Sequence, residues 1–186
     1  LDVGCGAGRL AIMCAKFAKQ VDAFDFSHGA ISIAQKIAEL TQTKNVNFFV
    51  GNLEKLVLTN KRYDLVTMSE VIEHVSEPVL SLKQISKLLK KNGILILSCP
   101  NFNNFRGYTY MTLLKLFDLP MSLADLRQVN HNDIENWSSE AGFKLKKCIG
   151  ALYGFGWDEK GVNDMIERVP KAISDKQLKI KCHYEP

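Results

Sequence analysis

At 186 residues and 20.9 kDa the chain has room for one ordinary domain built on a single core. Hydrophobic residues make up 46% and charged residues 24%, the balance of a folded globular domain and not of a disordered chain. The net charge of +4 is scattered apart from two lysine groups, at 87, 90 and 91 and at 144, 146 and 147, so it argues against a nucleic-acid binder, which concentrates such charge on one face. No apolar run approaches the roughly 20 residues of a membrane span, and no charged segment leading into an apolar one marks a signal peptide. Contact with a membrane surface and the oligomeric state stay open. The five cysteines are odd in number and show no CxxC spacing, which fits a reducing cytoplasm and neither a zinc site nor a disulfide framework. Leu1 already lies inside what reads as a buried strand, so we expect a fragment of a longer chain.

Short apolar strands alternate with amphipathic helices from end to end. Leu1 to Val3 reads as the tail of a first strand, and the next helix carries Leu10, Met13, Cys14, Phe17 and Ala18 at helical spacing. Val21 to Phe26 is the second strand, and Ser27 caps a helix predicted to bury Ala30, Ile33, Ala34, Ile37 and Ala38. Val46 to Val50 and Tyr63 to Met68 follow as strands three and four. Pro78 opens a helix predicted to bury Val79, Leu82, Ile85 and Leu89 and to stop at Asn92-Gly93. Ile94 to Cys99 is the apolar run of a strand covered on both faces.

Beyond Pro100 the pattern loosens into an aromatic, Asn-rich stretch with a short helical patch, Tyr110 to Phe117. A helix from Asn132 to Ala141, a strand from Phe143 to Gly150 and a last strand from Leu178 to Tyr184 complete the prediction. Such alternation implies one α/β domain, a mostly parallel sheet with helices on both faces. The aromatics Phe102, Phe105, Tyr108, Tyr110 and Phe117 form either a lid over an apolar acceptor or the small core of that lid.

The first nine residues, LDVGCGAGR, place Gly4, Gly6 and Gly8 between a strand and a helix. A loop without Cβ atoms lets a ligand lie against the backbone, where free N–H groups attract its negative group. A dinucleotide site of the form G-x-G-x-x-G puts Arg9 at its third glycine when counted from Gly4, or Ala11 when counted from Gly6. The loop alone leaves a nicotinamide cofactor open.

Four later segments bear on the choice. LDVGCGAGR resembles motif I of the class I S-adenosylmethionine-dependent methyltransferases, and in the same order Asp25, FFVGNLEKL, YDLVTMSEVIEHV and LLKKNGILILSCPN resemble that family's later motifs. SEVIEHV and the Cys99-Pro100-Asn101 stretch look most like the ubiquinone-biosynthesis O-methyltransferases and their generic relatives. The resemblance implies a seven-stranded Rossmann-like fold whose sheet is reversed at one edge by the last strand. It implies S-adenosylmethionine as cofactor and a small-molecule acceptor, with oxygen as the first choice of methylated atom. A nucleotide-dependent oxidoreductase and a non-catalytic cofactor-binding subunit are the competing readings.

Carried over residue by residue, the resemblance places Gly4, Cys5, Gly6 and Gly8 along the methionine and ribose moieties, with Asp2 steadying the loop or the amino group. Asp25 takes the ribose hydroxyls, and Phe26 either lies beside the adenine or joins the core. Asn52 stands where the family has Asp; an amide oxygen can still accept from the adenine amino group. Leu53 offers its backbone N–H to the ring, and Ser69 falls beside the methionine moiety. Glu70, Glu73 and His74 form E-x-x-E-H, which on a helix would converge on one face. The resemblance associates this segment with a divalent cation, and hard oxygen ligands suit Mg²⁺. His74 is also the candidate general base, because an imidazole ordinarily titrates near neutral pH. Relatives place a histidine where Asp125 stands, two positions before a retained Arg127.

Overall fold

The computed structural model describes residues 1–53, 61–117 and 126–150, with scattered positions between 163 and 174. Its five strands are β1 (Asp2–Val3), β2 (Val21–Asp25), β3 (Val46–Val50), β4 (Tyr63–Ser69) and β5 (Leu89–Ser98), in the order β3-β2-β1-β4-β5. Every pairing is parallel. The helices are α1 (Arg9–Ala15), α2 (His28–Leu40), α3 (Pro78–Leu88), α4 (Phe105–Phe117) and α5 (His131–Glu140), with a 3₁₀ turn at Ile72–His74.

Period-two alternation sends the two halves of each central strand to different cores. Val21 and Ala23 join Ala11, Ala15, Ile31, Ala34 and Phe48 on the face covered by α1 and α2. Phe24 joins Val3, Met68, Ile72, Leu82 and Ile85 on the face covered by α3 and α5. The first of these cores is made largely of alanine, which draws α1 and α2 close to the sheet. The buried faces differ in part from the predicted ones, although Ala34 and Ala38 are buried as expected. In α1, Ala11 and Ala15 are buried, whereas Met13 stands exposed and Phe17, just past the helix, is 91% exposed. In α2 the buried stripe is Ile31, Ala34 and Ala38, and Ile33 is exposed. The Asn45 side chain closes α1 by donating to the carbonyls of Ala15 and Ala18 at 2.8 and 2.9 Å, and Ser27 caps α2 by accepting from the Ala30 N–H.

Two expectations on the far side change. The helix opened by Pro78 ends at Leu88, and Leu89 is already extended (φ −84°, ψ 144°) as the first residue of β5. Tyr63 pairs with Leu89 and Leu65 with Ile94, so the intervening residues bulge, with Asn92 in the left-handed region at φ 64°. Asn92-Gly93 therefore turns a strand and does not stop a helix. Lys90 reaches out of the bulge to both oxygens of Asp64, at 2.9 and 2.8 Å. The strand is not covered on both faces either, since Ile96 is 55% exposed among the described residues.

Phe143 to Gly150 forms no strand, and from Lys144 onward it is exposed. Its alternation of Lys with Leu and Ile satisfies a strand pattern, but a strand needs a partner edge, and none of the described residues pairs with it. The sheet thus has five described strands, not seven; Leu178 to Tyr184 lies outside the described residues. Helix α4 starts at Phe105, earlier than the predicted Tyr110, and α5 at His131, behind an Asn130–Asp133 capping box. No described helix is long and apolar enough to cross a membrane.

At the amino ends of the strands, Asp22 is buried and accepts from Lys61 Nζ (2.9 Å), Tyr63 Oη (2.9 Å) and Asn47 Nδ2 (3.2 Å). Burial opposes ionisation there, but these three donors outweigh it and hold the carboxyl below its ordinary range. Asp22→Asn should therefore cost about 2 kcal/mol at neutral pH, a modest figure because Lys61 is largely solvated. A native carboxyl below its unfolded value stabilises above the ordinary carboxylate range and loses that contribution as pH falls. Urea denaturation should show the difference between the two proteins shrinking on acidification; a constant difference would mean that Asp22 acts through shape and not charge.

Candidate functional site

The strand order reverses direction at β1, whose chain leads to β2 on one side while β4 flanks it on the other. In open parallel sheets the crevice at the carboxyl ends of such strands is where ligands bind. A cleft of about 220 Å³ lies there, lined by the glycine loop, Asp2, Arg9, Leu10 and Ser69.

Each glycine of the loop has a positive φ, 67°, 52° and 77° for Gly4, Gly6 and Gly8. Two of them are also closed in by packing. A Cβ at Gly8 would sit 2.7 Å from the Phe48 ring and 2.9 Å from the Ala34 Cβ, and one at Gly4 would sit 2.4 Å from Val71. Gly6 differs, because a Cβ there meets nothing within 4 Å and would point into open space. The first and third glycines thus hold the loop against the sheet, and the middle one keeps the cleft clear.

The loop is tied down by β2. Cys5 N–H donates to the Phe24 carbonyl and Gly6 N–H to Asp25 Oδ2, both at 2.9 Å. Asp25 Oδ1 accepts from the Ser27 N–H at 2.9 Å, and the Asp25 carbonyl accepts from Gly51. Both carboxylate oxygens are engaged with backbone, and each keeps a second lone pair for a further donor. Asp25 is therefore a structural tie as well as a candidate ribose ligand, a role that spacing did not reveal.

Asp2 is 3% exposed. Its Oδ1 accepts from Thr67 Oγ1 at 2.7 Å, and its Oδ2 has no hydrogen-bond partner among the described residues. Burial pushes the carboxyl above its ordinary range, against the Thr67 hydrogen bond. An orphaned oxygen beside an open cleft is a place for a cationic ligand group. The Cys5 thiol lines the same cleft, and burial, with Asp2 and Asp25 adding to it, pushes it up to about 12. Burial therefore works against the thiolate form that a nucleophile would need.

Phe26 is 77% exposed, which removes it from the core and leaves its ring at the β2 end of the site. Asn52 is exposed just past β3, and the Leu53 side chain is anchored in the core. Ser69 Oγ lies 2.8 Å from Ser98 Oγ, which in turn donates to Glu70 Oε1 at 3.1 Å. Glu70 has φ 54°, a left-handed conformation that costs a non-glycine residue energy and is concentrated at functional sites.

The E-x-x-E-H segment departs from expectation. Only Ile72 to His74 is helical, as a 3₁₀ turn, and the backbone reverses at Glu70 before that turn begins. Glu70 is exposed and linked to Ser98, Glu73 is 1% exposed, and His74 Nε2 is 3.8 Å from Glu73 Oε1. The three side chains do not converge, and no group of three or more His, Cys, Asp or Glu among the described residues is arranged to hold a metal ion. Mg²⁺ does not fit this donor set. Neither Glu73 nor His74 lines the cleft.

Arg127 binds this segment from outside. It donates from Nη1 to the Val75 carbonyl at 2.7 Å and from Nη2 to the Ser76 carbonyl at 2.9 Å, and its guanidinium lies 5.8 Å over the Trp137 ring. Leu126 N–H adds a bond to the Glu73 carbonyl. Asp125, and the side chains of Phe105, Tyr110 and Phe117, lie outside the described residues, while Phe102 is half-buried and Tyr108 exposed.

Comparison with known proteins decides the family. A model of the methyltransferase domain matches residues 1–160. The chain belongs to the class I S-adenosylmethionine-dependent methyltransferases. It is 33% identical over 157 residues to a ubiquinone biosynthesis O-methyltransferase of Coxiella burnetii, covering 82% of this chain and 66% of that one. A second such protein, from Alkalilimnicola ehrlichii, is 29% identical and covers 100% of this chain and 72% of its own length. The chain thus spans about two thirds of the curated relatives it matches. Among solved structures, magnesium protoporphyrin IX methyltransferase from Synechocystis, with bound SAH, superposes with a TM-score of 0.65 at 24% identity, covering 83% of this chain and 68% of that one.

The glycine geometry separates stability from ligand access. Gly8→Ala should cost about 3 kcal/mol, from overpacking against Phe48 and the left-handed backbone. Gly6→Ala should cost only about 1 kcal/mol while placing a methyl group in the cleft. Urea denaturation and calorimetry with S-adenosylhomocysteine test this; equal stability losses, or undiminished binding by Gly6→Ala, would contradict it.

Proposed function

We propose that this methyltransferase moves a methyl group from S-adenosylmethionine to a hydroxyl oxygen of a small molecule, a phenol, catechol or sugar. The observation that carries the cofactor assignment is Asp2 Oδ2, buried and unpartnered beside the open space at Gly6. The residues present fit the group: Asp2 would hold its ammonium, loop residues 4–8 its methionine and ribose portions, and Ser69 the methionine side. Asp25 would take the ribose hydroxyls through its remaining lone pairs, with Phe26, Asn52 and Leu53 around the adenine. When bound, S-adenosylmethionine supplies an electrophilic methyl carbon on sulfur. The oxygen preference rests on the relatives named as O-methyltransferases.

The chain's own part is alignment and proton removal. Cleft residues hold the donor so that an acceptor oxygen can sit roughly 3–3.5 Å from the reacting carbon, in line with the breaking bond. As the oxygen bonds to carbon, its proton must leave, and His74 is the proposed acceptor. Glu73 Oε1, within ion-pair reach of His74 Nε2, would give that proton a counter-charge. No step is assigned to a metal ion, since the Glu70, Glu73 and His74 side chains do not converge.

Calorimetry with S-adenosylmethionine, S-adenosylhomocysteine and NADH, each with Mg²⁺ and with EDTA, tests the cofactor. Binding of both adenosyl ligands, unaffected by EDTA and with no NADH response, is expected; NADH binding without an adenosyl signal would overturn the assignment. With a catechol acceptor, His74→Gln should lower kcat about 100-fold or more and leave S-adenosylhomocysteine affinity unchanged. Unaltered turnover would remove His74 as the base.

A further inference from the structure

We propose that Ser69 Oγ distinguishes the acceptor from its methylated product. It accepts a hydrogen bond from the acceptor's hydroxyl and, held by Ser98 and Glu70 with no proton to offer, disfavours the ether oxygen that replaces it. This rests on the S-adenosyl reading and the hydroxyl acceptor proposed above, and adds to them a reason for the product to leave.

Ser69 and Ser98 are register partners at the carboxyl ends of β4 and β5, and both side chains are exposed. Ser98 Oγ donates to Glu70 Oε1 at 3.1 Å and lies 2.8 Å from Ser69 Oγ. A serine hydroxyl has one proton, and a carboxylate only accepts. The Ser98 proton is committed to Glu70, so the Ser69 proton is the one that closes the contact between the two serines. Among the described residues Ser69 Oγ has no further partner. What it has left for the cleft it lines is lone pairs alone.

Glu70 holds this direction in place. Its N–H donates to the Ser98 carbonyl at 2.9 Å, so its backbone and its side chain grip the same serine. Its φ of 54° suits glycine, but glycine there would leave Ser98 without its carboxylate.

The cofactor reading puts the methionine side of the ligand at Ser69, and the reacting methyl group is carried on the sulfur of that side. The attacking oxygen must come to the same place. In that reading the ammonium goes to Asp2, which leaves the Ser69 lone pairs to the second substrate. A hydroxyl meets them with its proton. Once methylated, the oxygen has no proton, and lone pairs face lone pairs while Ser69 cannot turn a donor towards them. The favourable contact lasts only as long as the oxygen keeps its proton.

Calorimetry on the protein loaded with S-adenosylhomocysteine compares catechol with veratrole, its dimethyl ether. Wild type should bind catechol about tenfold or more tighter. Glu70→Gln keeps the side chain's shape but offers Ser98 a donor as well as an acceptor, so Ser69 can turn its proton into the cleft. It should bring the ratio below about threefold by raising veratrole affinity, a gain that a loss of structure does not produce. Ser98→Ala should do the same. Ser69→Ala should weaken catechol binding and leave veratrole and S-adenosylhomocysteine within about twofold. Equal wild-type affinities, no binding of catechol to the loaded wild type, or a ratio in Glu70→Gln and Ser98→Ala that persists or falls only through weaker catechol binding overturns the proposal. S-adenosylhomocysteine binding then still supports the cofactor reading. If Ser69→Ala loses affinity for S-adenosylhomocysteine instead of for catechol, the hydroxyl serves the cofactor and the proposal is again overturned. Failure of the wild type to bind S-adenosylhomocysteine removes both.

Discussion

One carboxylate holds the cofactor end of this fold together. Asp25, the last residue of β2, spends one oxygen on the Gly6 N–H of the glycine loop and the other on the Ser27 N–H at the start of α2. Its own carbonyl receives Gly51 after β3. Three consecutive crossings of the sheet therefore meet at one residue. The backbone N–H groups of a loop rich in glycine are hard to satisfy without ordering it, and here that ordering comes from a residue almost twenty positions away. The same side chain is the one proposed to meet the ribose, so in that reading loop order and ligand contact share one group.

The cleft is built by exclusion as much as by contact. Phe48 and Ala34 stand where a side chain at Gly8 would go, and Val71 where one at Gly4 would go. Pressed flat on both flanks, the loop presents only its middle glycine to open space. Asp2 on β1 lines the same cleft, and one of its carboxylate oxygens accepts no hydrogen bond among the described residues. Leaving a buried carboxylate oxygen orphaned costs stability, and natural folds retain such costs mainly where a ligand relieves them. Glu70, in a left-handed conformation and hydrogen-bonded through Ser98 to Ser69, is a second unrelieved cost at the same end of the sheet.

Away from the cleft, Arg127 works as a clamp. Two hydrogen bonds to the carbonyls of Val75 and Ser76, with its guanidinium over Trp137, attach the returning chain to the 3₁₀ turn that carries His74. The position of His74 thereby depends on a residue more than fifty positions later.

How much of this was legible in the sequence differs by element. Parallel α/β architecture, the first five strands in chain order, the Ser27 cap and the glycine loop follow from local patterns that short-range physics enforces: period-two and 3.6-residue repeats, caps, and glycine's freedom at positive φ; the places of Asp2 and Ser69 at the site came from the family resemblance. Tertiary structure decided what those patterns leave degenerate. The buried faces of α1 and α2 are set by alanines that allow close approach, although Met13, Phe17 and Ile33 are the more hydrophobic side chains. Leu89 left its helix because pairing with Tyr63 offered it a strand, and Phe143 to Gly150 stayed out of the described sheet although its alternation suited one. The E-x-x-E-H spacing implies convergence only on a regular helix, and a reversal at Glu70 removed that premise. Sequence by itself therefore determined the elements in chain order and the glycine loop at the cleft, because chain neighbours enforce them. Which faces of the helices are buried, and where the Glu70, Glu73 and His74 side chains go, depended on packing between segments far apart in the chain.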